Sequence, residues 1–295
     1  MIIFHYIMFP QKLITHNGTF HADEVFAIAI LEKLIGKPLE ITRTRDPQLL
    51  EEGVNDLTTF VVDVGLAYEP EKYNFDHHQD RYMKSAAGLV WQSFGAEVCG
   101  GSADAAGLVQ ESLIDLVDQT DTNQNNILMT MKNHLPGGVD GTVSGLIGAF
   151  NRETDDVEEQ MQQFRKAISF AATFLENSLY EVALIVAQKP IWDARQMLKP
   201  NVVRLESHCK GWKRWAAHES NIQFCLIPRT SLNKEIEGQQ WQITSIDAVE
   251  NPLPTLEEMQ ATVSQPEAIE FAHKARFLAV FNNEQTALEV VNQLL

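Results

Sequence analysis

Apolar residues in the first third of the chain come in short continuous runs broken by turn-forming clusters, the texture of buried strands alternating with helices. Lys12-Leu13-Ile14-Thr15-His16 reads as one such strand, and Asn17-Gly18-Thr19 as the turn that ends it. Over residues 23–34 apolar side chains occupy most of a helical circumference, through Val25, Phe26, Ile28, Ile30, Leu31 and Leu34, and Gly36 and Pro38 stop the helix. A helix that apolar is expected to be buried. Residues 40–45 and 58–64 predict two further strands, with a short helical piece over 47–52 between them. This alternation of strand and helix implies right-handed crossovers and a parallel sheet.

Helices follow over 85–94 and 103–117, with Asp115, Asp118 and Asp121 near the end of the second, where carboxylates oppose the helix dipole and need a compensating charge. Leu135-Pro136-Gly137-Gly138 reads as a turn and 142–150 as a short helix. Residues 155–179 and 181–198 read as two long connector helices, with Pro190 interrupting the second. From Asn201 the texture changes to short β-like runs at 202–205, 222–227 and 241–246, then a Pro-rich bend at 252–254 and helices over 255–263 and 284–294. The expected architecture is α/β: a parallel-sheet domain with its helical connector over residues 1–198, and a smaller α/β domain over 199–295.

Charge and cysteine usage narrow the picture. The formal charge of −17, from 23 basic and 40 acidic residues, disfavours long-range attraction to a nucleic-acid backbone. It leaves nucleic acid open as a substrate, because bound divalent cations would add positive charge where the phosphate must sit. Cys99, Cys209 and Cys225 are odd in number and lack Cys-x-x-Cys spacing, which points to a reducing cytoplasm rather than a disulfide framework or zinc ribbon. The apolar opening, residues 1–10, lacks a basic n-region and a small-residue cleavage site and reads as disordered or as a strand extension, with Met8 as an alternative start. No uninterrupted apolar run is long enough to span a bilayer, so no membrane association is expected.

In parallel sheets ligands bind beyond the carboxyl ends of the strands. His16 and Asp63 stand at two such ends, and Asn74-Phe75-Asp76-His77-His78 closes another short strand. Together with His21, Asp23 and Asp118 they supply carboxylate oxygen and imidazole nitrogen enough for two divalent cations. A lone histidine is usually a satisfied core or surface residue; the joint spacing is the signal. Trp212, Trp215 and Trp241 could stack on bases, but core packing is the commoner fate of large aromatics. His208 and Cys209, adjacent on a strand, point to opposite faces and do not form a dyad. There is no phosphate-binding Walker loop and no Gly-x-Gly-x-x-Gly fingerprint.

These segments resemble the DHH phosphoesterase superfamily and, within it, the Myg exonuclease family. Thr15-His16-Asn17-Gly18-Thr19-Phe20-His21-Ala22-Asp23-Glu24 is similar to that family's first motif, Val62-Asp63-Val64-Gly65 to the second, Phe75-Asp76-His77-His78 to the third and Ile114-Asp115-Leu116-Val117-Asp118 to the fourth. The likeness resumes at Phe271-Ala272-His273-Lys274-Ala275-Arg276-Phe277-Leu278, so it covers most of the chain. The resemblance implies a DHH-type metal-binding catalytic domain with His16, His21 and Asp63 around one cation and Asp23, Asp63, His77 and Asp118 around the other. Asp121 is an alternative to Asp118, because the Asn-Gly usual after the fourth-motif aspartate is replaced by Gln119-Thr120-Asp121. Asp63, Asp76 and His78 are the implied catalytic residues, His78 facing the scissile phosphate, and His273, Lys274 and Arg276 join it as substrate contacts. The implied activity is a manganese-dependent, or magnesium-dependent, 3′-to-5′ exonuclease on single-stranded RNA or short oligonucleotides. The alternatives are a small-molecule phosphatase or pyrophosphatase, and an inactive binding protein. A homo-oligomer fits any of the three.

Overall fold

A computed structural model describes residues 9–80, 82–122, 141–219, 221–229 and 239–294. The protein is mixed α/β with two sheets. It divides into two compact units, Met1–Ala183 and Leu184–Leu295, and this division falls inside a long helix, earlier than the change of texture near residue 198.

The first unit is built on a five-stranded sheet in the order β2-β1-β3-β5-β4. Strand β1 (Lys12–Thr15) runs parallel to β2 (Glu40–Arg43) on one side and β3 (Thr59–Val62) on the other; β3 pairs in parallel with β5 (Asn74–Phe75), and the edge strand β4 (Tyr68–Glu69) is antiparallel to β5. The expected parallel core is present, and β4 is an addition that two half-buried residues did not signal. Helix α1 (Ala22–Ile35) is buried at every position from 22 to 31 and packs on α3 (Ala86–Val98), as its all-round apolarity requires. Gly36 ends it in the left-handed region, at φ 78°. Helix α2 (Pro47–Val54) forms the crossover from β2 to β3, with Asp46 Oδ1 accepting from the Gln48 and Leu49 amides.

Three helical expectations change. The stretch read as one helix over 103–117 is α4 (Ala103–Val109), a π-helical turn over Gln110–Ile114, and α5 (Asp115–Asp121). The wider turn shifts the phase of everything after it. After α6 (Val143–Gly148), the two connector helices prove to be a single helix, α7 (Val157–Asp193). No glycine or proline separates Leu179 from Glu181, and Pro190 stands in the last turns, where it removes one N–H without stopping the helix. The chain then turns into strand β6 (Gln196–Lys199), where helix was expected to continue to residue 198. By length and composition alone α7 is long and apolar enough to cross a membrane, a test that core helices also pass; Glu176 and Glu181 interrupt its apolar run.

The second unit has a six-stranded sheet in the order β10-β11-β9-β8-β7-β6. Strand β7 (Val202–Arg204) is parallel to β8 (Phe224–Arg229); β9 (Gln240–Ser245), β10 (Ile269–Ala272) and β11 (Leu278–Phe281) complete it through antiparallel pairs. Side chains alternate between two cores. Phe224 and Leu226 join Trp241, Ile243 and Phe281 on one face, while Cys225 and Ile227 join Trp192, Cys209 and Trp212 on the other. Trp212 and Trp241 are thus core residues and Trp215 packs against the second core, while Cys209 is buried and His208 exposed. Short helices α8 (Trp212–Ala217) and α9 (Leu256–Gln260) and the terminal α10 (Glu284–Val291) cover the sheet. The turn expected over 135–138 and the opening eight residues lie outside the described residues.

Candidate metal centre

Parallel pairing of β1, β3 and β5 brings three carboxyl ends side by side, and the next residue or residues of each strand carry the chemistry: His16 after β1, Asp63 after β3, and Asp76, His77 and His78 after β5. Asp63 takes a left-handed backbone conformation, φ 57°, as the chain turns off β3. The first turn of α1 adds Asp23 and Glu24, both fully buried, and the end of α5 adds Asp121.

The donor atoms converge. His16 Nδ1 lies 3.0 Å from the Asn17 carbonyl oxygen, which leaves Nε2 pointing at Glu24 Oε1 (2.9 Å) and Asp63 Oδ2 (3.2 Å). His77 Nε2 is 3.2 Å from Asp63 Oδ1, 3.4 Å from Asp121 Oδ2 and 3.7 Å from Asp23 Oδ2. Three sets have ligand atoms within 4.8 Å of one another: His16, His21, Glu24 and Asp63; Asp63, His77 and His78; His21, Asp23 and Asp121. Asp63 and His21 each belong to two sets, the arrangement expected of residues shared between neighbouring cations.

Electrostatics show why this set wants a cation. Burial pushes the Asp23 carboxyl well above its usual range, and Asp63, Asp121 and Glu24 push it the same way; Asp121 is raised mainly by burial. Burial opposes ionisation of Asp63 too, but His16 and His77 outweigh it and hold that carboxyl at about 2. His16 loses to desolvation and gains more from Asp63 and Glu24, ending at about 10. Among the described residues no lysine or arginine comes within ion-pair distance of Asp23, Glu24, Asp63 or Asp121. The buried Asp23 Oδ1 has no hydrogen-bond donor, and Asp63 Oδ1 has the His77 imidazole 3.2 Å away but no aligned donor. Buried anions without a partner are costly, and mixed oxygen and imidazole donors suit a divalent cation. The residues therefore fit a metal pair.

Asp76 has a different place. Its Oδ1 takes the His78 backbone N–H (3.1 Å) and faces His78 Nδ1 (2.7 Å), and its Oδ2 takes the Leu66 N–H (2.6 Å). Both oxygens are occupied, so Asp76 orients the half-exposed His78, whose pKa it raises through that hydrogen bond. Asp118 also stands apart from the three sets. Ser85 Oγ donates to its Oδ1 at 2.6 Å and its carboxylate lies against Gly88, while burial lifts it to about 6. Of the two fourth-segment aspartates, Asp121 is the one near His21, Asp23 and His77. Glu24 had no role in the sequence reading; an acid on a helix apolar all round was its available signal. His273, Lys274 and Arg276 lie on the β10–β11 turn of the second unit. There Ala275 N–H donates to His273 Nδ1, and Arg276, at φ 60°, donates through Nε to the Leu253 carbonyl.

The profile of a family described as "Uncharacterised protein family (UPF0160)", labelled MYG1 exonuclease, matches residues 12–295. The chain belongs to this family. Its MYG1-family relatives include a MYG1 protein of Schizosaccharomyces pombe, 27% identical over 324 residues and covering 96% of this chain and 97% of that protein. A MYG1 exonuclease of Bos taurus is 24% identical over 337 residues, covering 98% and 86% respectively. A MYG1 protein of Chlamydia trachomatis is 44% identical over 84 residues, 28% of this chain. Among solved structures, a pGpG-specific phosphodiesterase from Vibrio is similar at 13% identity and a TM-score of 0.30, a likeness too low to bear on fold or function.

Proposed function

We propose that this MYG1-family chain is a DHH-type, divalent-metal-dependent phosphodiester hydrolase, a 3′-to-5′ exonuclease on single-stranded RNA or short oligonucleotides in the cytoplasm. The observation that carries this reading is the cluster of buried Asp23, Glu24 and Asp63 and partly buried Asp121 with His16, His21 and His77 at the sheet's carboxyl edge. Relatives named MYG1 exonuclease supply the polynucleotide substrate. The carboxylate oxygens of this set suit manganese or magnesium, and manganese is the metal preferred in this reading.

When bound, a pair of divalent cations supplies a nucleophile at neutral pH and neutralises charge on a transferring phosphoryl group. The chain's residues do the rest. Asp63 and His21, each in two of the donor sets, are the residues that would be shared between the two cations. Asp76 holds His78 through Nδ1, leaving Nε2 free toward the open side to donate to a phosphate oxygen. The Asp76 carboxylate raises the pKa of His78 through that hydrogen bond, which favours the protonated, donating form of the ring. His273 and Lys274 stay phosphate contacts of the second unit in this reading. The test is hydrolysis of a 5′-labelled RNA with added Mn²⁺, beside His77→Ala. A ladder shortening from the 3′ end in the wild type alone is expected; intact RNA with turnover of pyrophosphate would sink the exonuclease and favour the small-molecule alternative.

A further inference from the structure

Beside the metal centre lies a cleft of about 670 Å³ whose near side is Asp63, Asp76 and His78. Its other walls are largely apolar, with Leu50 and Val54 from α2 and Val64 and Leu66 from the segment after β3. The cleft and the cluster thus share Asp63 and His78.

The backbone of that wall is unusual. Asp63 (φ 57°), Gly65 (φ 96°) and Leu66 (φ 54°) all lie in the left-handed region, which is unfavourable for any residue with a side chain. At Asp63 the conformation accompanies the turn that puts the carboxylate into the cluster. At Leu66 core packing offers no reason, because the side chain is 68% exposed. What holds it is the Asp76 carboxylate, which takes the Leu66 N–H at 2.6 Å and orients His78 with its other oxygen. The same aspartate therefore fixes a phosphate-facing histidine and an apolar side chain held out in solvent on the cleft's edge. Arg45 also lines the cleft and has no acidic partner within ion-pair distance among the described residues, while Glu51, another lining residue, makes the space less attractive to a small inorganic anion.

An apolar wall, a strained apolar lip and one guanidinium beside a phosphoryl-transfer site suit a flat heterocycle joined to a phosphate. Pyrophosphate would leave those walls wet. We propose that this cleft is the subsite for the nucleoside esterified to the scissile phosphate through its 5′ oxygen, with Leu50, Val54 and Leu66 as specificity-determining residues and Leu66 packing on the base. The proposal rests on the phosphodiesterase reading above and names its substrate class as nucleotide diesters.

The test compares kcat/KM in Mn²⁺ for thymidine 5′-(4-nitrophenyl) phosphate and methyl 4-nitrophenyl phosphate, which share a leaving group and differ in the nucleoside. Leu50→Trp fills the cleft; Leu66→Gly removes the lip and relieves the backbone, so its melting temperature is expected to stay at or above that of the wild type. In both variants the selectivity ratio is expected to fall about tenfold or more. An unchanged ratio, or equal losses on the two substrates, overturns the subsite. If the wild type cleaves neither diester, the phosphodiesterase reading fails and equilibrium binding decides the cleft. Adenosine 5′-monophosphate held by the wild type and about tenfold more weakly by Leu50→Trp supports it; adenosine 5′-monophosphate held no better than inorganic phosphate overturns it.

Discussion

The two units treat buried polarity in opposite ways. The first encloses His16, Asp23, Glu24, Asp63, Asp76 and Asp118 among apolar neighbours. In the second, the buried polar residues among those described are neutral, Gln240, Thr244, Ser245 and Thr286, and charges stay toward the surface in pairs such as Arg195 with Glu219 and Arg204 with Glu284. Strand direction accounts for part of the difference. Parallel strands bring several loops to one edge, where acids from distant segments can meet; antiparallel pairs send successive turns to opposite edges. The first unit therefore holds buried charges that a cation would relieve, and the second pairs its charges with its own side chains nearer the surface.

Substituting Asp63, which belongs to two of the donor sets, is the strongest way to break that contrast. Asp63→Asn is expected to cut diester hydrolysis on the order of 10³-fold and to abolish tight Mn²⁺ binding in calorimetry. With chelator present it should also lower the melting temperature, because His16 and His77 lose the carboxylate that holds their protons. Asp23→Asn is expected to be equally inactive but more stable than the wild type without metal at pH 7, since its charge is opposed by burial and by neighbouring acids. A metal-free Asp23→Asn protein that melts lower than the wild type would refute the account of the cluster as uncompensated charge.

Next in size is a pH effect at Asp118. Its folded-state pKa of about 6 lies above the ordinary 3.8. A raised carboxyl contributes stability that is fully present below the unfolded value and lost as pH rises through the folded one. The metal-free protein should therefore lose up to about 3 kcal/mol from this group between pH 4 and pH 7, at 1.36 kcal/mol per unit. Asp118→Asn should flatten that part of the stability profile in urea titrations and leave Mn²⁺ affinity in place, whereas Asp121→Asn should weaken it. The reverse pattern would return the ligand role to Asp118.

That choice marks where sequence reading stops. Helix α1 was legible because its apolar residues run all the way round and Gly36 closes it, and the sheet's carboxyl edge was legible because strand, turn and helix alternate at crossover spacing. Asp118 and Asp121 are three residues apart on one helix, and which reaches the cluster depends on helical phase after the π-turn over Gln110–Ile114, a feature with no local signature. Glu24 escaped because adjacency to Asp23 looks like ordinary acid at a helix start. Strands β6 and β10 are short and pair with the strands that follow them, β7 and β11, while β11 also pairs with the distant β9; strand here is set by pairing more than by local composition, so their own residues carried little signal. The split placed near residue 180 failed for the opposite reason: a helix goes on until something stops it, and nothing there does.

A smaller effect tests the packing around Asp118. A Cβ added at Gly88 would lie 2.3 Å from Asp118 Oδ2 and 2.6 Å from its Cγ. Gly88→Ala should gain helix propensity yet lose about 1–3 kcal/mol overall through overpacking, measured as a shift in the urea midpoint. Gly88→Ala combined with Asp118→Gly should recover most of it. A Gly88→Ala protein as stable as the wild type would mean the carboxylate can move away freely and is not held by Ser85.

The smallest effect is expected where the second unit keeps its charges. Arg204 donates through Nε to Glu284, bonds the exposed Glu206 and lies 4.9 Å over the Trp241 ring. In Glu284→Gln the guanidinium retains the carboxylate of Glu206 and the indole face, and the first turn of α10 loses one favourable charge. The cost should be no more than about 1 kcal/mol, shrinking as salt is added, with Mn²⁺ affinity unaltered. A loss as large as that of Asp63→Asn without metal would show that a charge pair near the surface and a buried carboxylate held between two histidines weigh the same here, and the contrast between the units would fall.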